Sequence, residues 1–287
     1  MHHPTPRPRR LGAKALAAAL VIPLAPAAVT LAASPAAAAP APVAFSYADC
    51  PDSLPVGADP ANWICNNMII QSGTMRIGKI DQPITKPLAM TVISGYDPAA
   101  GQTRNIFVKL RAQPLTVPGG ALGIPGSDDL VPLLRLSVLP KYAGGFSLGT
   151  AADGETIRAT MDQRFKINNT LLGDKCHIGT AKAPVKLDLL ADMSTMEWYD
   201  DFTALGVTLK DGTFAAPATS GCGLLGGFAD FRSGLPSAAG KNSATLRMYM
   251  SSKPYTELFP QMKSKAKSTA RAPRLPFGLP PALKDRG

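Results

Sequence analysis

The sequence predicts an all-β, antiparallel fold built from two diverged, sandwich-like repeats that pack as one pseudo-symmetric body. Three observations predict it. Apolar residues recur with period two: "NIFVKLRA" (105–112) sets Ile106, Val108 and Leu110 against Phe107, Lys109 and Arg111, and "ETIRATMD" sets Ile157, Ala159 and Met161 against Arg158, Thr160 and Asp162. "VKLDLL" and "ATLRMYM" alternate in the same way, as half-buried strands do. Turn formers such as "GYDPAAGQ", "PGGALGIPGSDD" and "AADGE" separate these runs, and no segment after residue 39 keeps an apolar helical period for three turns. Finally, the chain echoes itself. "NNMIIQSGTMRIGKIDQPI" (66–84) returns as "NNTLLGDKCHIGTAKAPV" (168–185). The pattern Thr116-x-x-x-Gly120-x-Leu122-Gly123 returns as Thr219-x-x-x-Gly223-x-Leu225-Gly226, and Gly123-Ile124-Pro125 returns as Gly234-Leu235-Pro236.

Taken in order, residues 1–39 read as a secretory signal peptide. Arg7, Arg9, Arg10 and Lys14 precede an Ala/Leu/Val stretch and the small-residue run Ala36–Ala39. Pro23 and Pro26 interrupt that stretch, so it is a poor permanent span. The mature protein is expected outside the cell, with no transmembrane span. Residues 40–65 form an extension with a short disulfide loop. Residues 66–142 are the first β repeat, 143–167 connecting strands and 168–262 the second repeat, with "PYTELFPQMK" one short helix near its end. Residues 263–287 are a basic, Pro-rich tail of the composition that stays unfolded.

The charge is confined to the ends. Of 30 basic residues, four lie in the leader and seven in the tail, leaving 19 basic against 19 acidic residues over 39–262. A neutral core without interleaved aromatics, in an exported chain, argues against nucleic acid as a partner. In the tail, Lys263, Lys265, Lys267, Arg271 and Arg274 suit an electrostatic tether to anionic cell-wall polymers or lipid headgroups, or simply a solvated end.

Four cysteines in an exported chain favour disulfides. Cys50, Cys65, Cys176 and Cys222 allow three pairings. Loop length favours Cys50–Cys65 with Cys176–Cys222, and the second bridge would then lie within one repeat. His177 is the only histidine after the leader. On a strand it faces away from its neighbour Cys176, so the two cannot readily act on one atom. With no C-x-x-C and no second histidine we expect no metal and no cofactor. No G-x-S-x-G elbow is present. "GCGLLG" (221–226) and "GLPSAAGKNS" match phosphate-loop patterns only in outline and are expected to be turns.

"EWYDDF" is the most distinctive surface candidate. Trp198, Tyr199 and Phe202 offer flat apolar faces beside Glu197, Asp200 and Asp201, a combination that suits glycan recognition. Paired carboxylates could also hydrolyse a glycosidic bond. The plainer expectation is a loop in which Trp198 plugs the core and the acids are solvated.

The segments "NNTLLGDKCHIGTAKAPVKLDLL", "GVTLKDGTFAAPATSGCG" and "GLPSAAGKNSATL" resemble a group of secreted proteins of high-GC actinobacteria. These share Leu-Leu-Gly…Cys-x-Ile-Gly…Pro, a later Gly-Cys-Gly and Leu-Pro-Ser-x-x-Gly-x-Asn. The resemblance covers residues 160–247 well and implies export and paired cysteines; it supplies no mechanism. The expected function is that of a secreted, non-catalytic β-protein associated with the cell envelope. The alternatives are an envelope glycan hydrolase using carboxylates near Glu197–Asp201, and a carrier holding an apolar ligand between the repeats.

Overall fold

In the computed structural model the described residues are 43–124, 126–199 and 203–262. The leader and the tail cations Lys263, Lys265, Lys267, Arg271 and Arg274 lie outside them, as do Asp200, Asp201 and Phe202. The strands are β1 (Trp63–Ile77), β2 (Ile80–Pro83), β3 (Leu88–Asp97), β4 (Gln102–Arg111), β5 (Leu115–Thr116) and β6 (Ser137–Thr150), then β7 (Ile157–Asn168), β8 (His177–Ile178), β9 (Val185–Tyr199), β10 (Ala204–Asp211), β11 (Thr219–Ser220) and β12 (Ser243–Pro254). Three short helices join them: α1 (Ser127–Leu130), α2 (Gly226–Ser233) and α3 (Tyr255–Leu258). The molecule is all-β: twelve strands form one antiparallel sheet.

Eight long strands carry it. Along the sheet they run β6-β7-β9-β10-β12-β1-β3-β4, an up-and-down meander in which the last strand, β12, pairs with the first, β1. The sheet rolls until its ends, β4 and β6, meet. No ladder closes this seam. Side chains do: the Phe107 and Tyr142 rings stack with centroids 3.6 Å apart, and Asn105 Nδ2 donates to Leu148 O at 2.7 Å.

Order of elements repeats within the chain. After β1 and after β7 comes a short strand (β2, β8), and after β4 and after β10 a two-residue strand and a helix (β5 and α1, β11 and α2). The echoing stretches of sequence differ locally. Asn66 and Asn67 are buried within β1, whereas Asn168 ends β7 and Asn169 opens a loop. Residues 143–167 hold half of β6 and nearly all of β7, the hairpin between the two meanders.

The alternation read from the sequence holds for β7, β9 and β12. Ile157, Ala159 and Met161, then Val185, Leu187 and Leu189, then Ala244, Leu246 and Met248 all turn inward. It fails in β4. The register shifts where Thr91 and Val92 face Lys109 and Phe107, so Val108 is an extra residue in the ladder. A bulge of this kind reverses the faces on one side of it. Phe107 and Leu110 therefore pack on the main core, and Ile106 and Val108 point outward.

Those outward residues are covered. Segments 47–62 and 255–262 lie over the outside of β1, β3 and β4, forming a satellite core of Cys50, Trp63, Cys65, Ile93 and Tyr255. Asp49 ties this cover to β4 through Lys109 and a two-point ion pair with Arg111. The rest of the outer face is laddered with charge, as in Arg158–Asp188, Lys210–Asp192 and Arg247–Glu197. An apolar inside with a charged outside is the reverse of a lipid-spanning barrel. Among the described residues no helix is long and apolar enough to cross a membrane.

Candidate functional site

The two ends of the rolled sheet differ. At one end the strands join by tight turns at 98–101 and 151–156, and there β1 begins and β12 ends. At the other end lie all four long excursions: 78–87, 112–136, 169–184 and 212–242. Eight-stranded closures leave an interior that is either filled by side chains or able to hold one small ligand. The site is built in that interior and at its open end.

Hydrogen bonds close the first end from within. Asn66 Nδ2 donates to Ser94 Oγ at 2.9 Å and to Val92 O at 3.2 Å, and Ser252 Oγ donates to Asn66 Oδ1 at 2.6 Å. Ser94 Oγ in turn donates to Asn105 Oδ1 at 2.6 Å. The network spans β12, β1, β3 and β4 and reaches β6 through Leu148 O. Fully satisfied buried networks of this kind fix one arrangement.

Above this floor the interior is apolar. A cavity of about 60 Å³ is walled by aliphatic residues of β1, β7, β9 and β12 together with Met68, Met75, Met90, Met161 and Met248. Two polar side chains face it, Gln82 and Gln163. Methionine is unbranched and flexible, so a wall with five of them can re-pack around a guest more readily than one of Ile and Val. A second cavity, of about 290 Å³, lies nearer the open end and shares Ile80, Val138 and Ile178 with the first as common walls.

Helix α2 covers this outer cavity. Leu225, Phe228, Ala229 and Arg232 recur at helical spacing and line it, while Leu224 and Phe231 point to solvent. Arg232 Nε donates to Leu122 O at 2.6 Å, joining the helix to the loop opposite, and Lys79 sits 5.4 Å from the centre of the Phe231 ring. The Cys176–Cys222 disulfide joins the 169–184 excursion to the segment that leads into α2. Of the fourteen large apolar side chains exposed among the described residues, ten lie in 122–133, at 171 and in 224–231.

The residues singled out from the sequence are placed elsewhere. Cys50 is bonded to Cys65 and Cys176 to Cys222. His177 lies in the two-residue β8, its Nδ1 2.8 Å from Lys175 O, while Cys176 beside it is wholly buried. Glu197, Trp198 and Tyr199 were expected in a loop; they form the end of strand β9, because β10 pairs with them through Leu205 and Gly206. Trp198 packs on the core. Glu197 accepts hydrogen bonds from Tyr199 and from Arg247, and Tyr199 first, then Arg247, holds its carboxyl below the usual range. A carboxyl held ionised in this way is a poor proton donor. "GCGLLG", expected as a plain turn, runs from β11 through a tight turn into α2. Asn242 of "GLPSAAGKNS" is buried, donating to Phe214 O and Ala238 O and accepting from Gly78 N. Among the described residues no three His, Cys, Asp or Glu side chains converge as a metal ion requires.

Sequence reasoning missed the site because nothing local marks it. Its walls are inward residues of β1, β3, β6, β7, β9, β10 and β12, indistinguishable in sequence from an ordinary core. The one available signal was compositional: methionine recurs at inward positions of β1, β3, β7 and β12. Comparison of the chain with known protein families, with curated proteins and with solved structures finds no match.

Proposed function

We propose that this protein is a secreted, non-catalytic binding protein for an apolar ligand held inside the rolled sheet. The observation that carries this reading is the methionine-walled interior beneath an outer cavity, at the end of the roll that holds ten of the fourteen large apolar side chains exposed among the described residues. A fold that only needed a core would fill its interior to close packing. Here the exposed Leu171, Leu225 and Phe228 line the outer cavity, where they offer an apolar molecule a path out of water. The resemblance to secreted actinobacterial proteins and the two disulfides support export, since such bonds persist in oxidising compartments. The basic tail lies outside the described residues and plays no part in this reading.

The test is a titration of the mature chain with the fluorescent apolar probe N-phenylnaphthylamine. Saturable, blue-shifted fluorescence that long-chain alcohols or acids displace is the expected result. A signal that never saturates, or that no such compound displaces, would overturn the proposal.

A further inference from the structure

The inner cavity contains one polar atom whose hydrogen-bonding capacity is unused. Gln82 is 6% exposed, and its Oε1 has no hydrogen-bond partner. The orientation of this amide is fixed by its other half. Nε2 donates to Pro83 O at 2.9 Å and to Thr116 O at 3.1 Å, which uses both of its protons. Turning the amide over would set Oε1 against two carbonyl oxygens, so the unpartnered atom is the oxygen, on a side chain that lines the cavity. A buried acceptor left unpaired is costly and rare, and in a binding cavity it points to a missing donor.

We infer that Gln82 is the polar anchor of the ligand, and that the ligand is a long-chain molecule whose hydroxyl group donates its proton to Gln82 Oε1. This rests on the apolar-ligand reading above and narrows it. The chemistry of the wall selects among head groups. A carboxylate brings only lone pairs to an acceptor oxygen, and no cation lines the inner cavity; Lys79 and Arg232 belong to the outer one. An ammonium would place an unpaired charge in a dry space. A hydroxyl is neutral, small and a donor. Its own oxygen can accept from Gln163 Nε2, which otherwise meets only the thioether of Met161, a weak acceptor. The narrow inner cavity accommodates a small head of this kind, and the flexible methionines around it make room for the carbon atoms next to the hydroxyl. The remainder of the chain then runs into the outer cavity and towards the apolar rim.

The experiment compares dodecanol with its methyl ether as competitors for N-phenylnaphthylamine, on the wild-type chain and on Gln82→Leu. The ether keeps the dodecyl chain and the acceptor oxygen and carries a methyl group in place of the hydroxyl proton. Wild type should bind the alcohol about 10-fold more tightly than the ether, although the alcohol is the more water-loving of the two, and Gln82→Leu should remove that preference. Thermal melting of Gln82→Leu checks that it folds. Should it not fold, the wild-type ratio alone decides. Equal displacement by alcohol and ether in wild type, or a preference that survives in folded Gln82→Leu, overturns the anchor while leaving the binding-protein reading standing. Failure of both compounds to displace the probe overturns that reading itself, and the anchor with it.

Discussion

Single side chains show where buried polarity is tolerated and where it is strained. Tyr255 is fully buried in the satellite core against Phe259, its ring centroid 5.4 Å away, and its hydroxyl has no partner. Burial pushes the phenol far up, with Asp52 adding to the shift. Removing an unsatisfied buried hydroxyl without changing shape costs nothing in contacts. Tyr255→Phe should therefore leave stability unchanged or raise it by up to about 1 kcal/mol, read from urea unfolding; a clear loss would reveal a partner for that oxygen. Legibility at this scale was uneven. The core role of Trp198 followed from its bulk and apolarity, whereas the orientation of Ile106 and Val108 did not follow from the pattern of their own strand. Their faces are set by a bulge defined only by the partner strand β3 and by the cover from segments 47–62 and 255–262.

Elements were legible where one face is wet. The alternating runs in β7, β9 and β12 each border solvent, so polar and apolar residues separate cleanly. Strand β1 from Trp63 to Ile69 and nearly all of β3 are buried on both faces, and period two vanishes there. Helix α2 escaped notice because two glycines open it and it is only eight residues long. Its position depends on tethers: Cys176–Cys222 just before it, Asp230 accepting from Thr219 N at 2.7 Å, and Arg232 on Leu122 O. The disulfide spans 46 residues, and closing such a loop in the unfolded chain is worth about 2–4 kcal/mol. Cys176→Ser with Cys222→Ser should lower stability by that amount in denaturant titrations. An unchanged midpoint would show that the two excursions hold together without it.

The whole molecule carries a pH dependence written in its outer charges. The carboxyls of Asp49, Asp97, Asp153, Asp188 and Glu197 are all held below their ordinary values, and Asp192, hydrogen-bonded first by Lys210 and then by Ser194, is lowered to about 2. In the unfolded chain such aspartates would titrate near 3.8. The unfolded state thus takes up protons first as pH falls, so stability is complete above about pH 4 and drains away as pH falls towards about 2. Melting temperature measured from about pH 5 downwards should be flat at first and then fall; a flat profile to pH 2 would show that these pairs add nothing. At this scale the sequence announced the all-β class. It could not announce that the two meanders share one rolled sheet, because the pairings that decide it, β12 with β1 and the seam of β4 with β6, join residues 35 or more positions apart.

The separation of the roll into two ends has a practical consequence. Strand β1 begins and strand β12 ends opposite α2 and the four excursions. The 98–101 and 151–156 turns lie at that same end, so a dye or fluorescent protein inserted in either would grip the molecule by its handle and leave the opposite pole facing the solution.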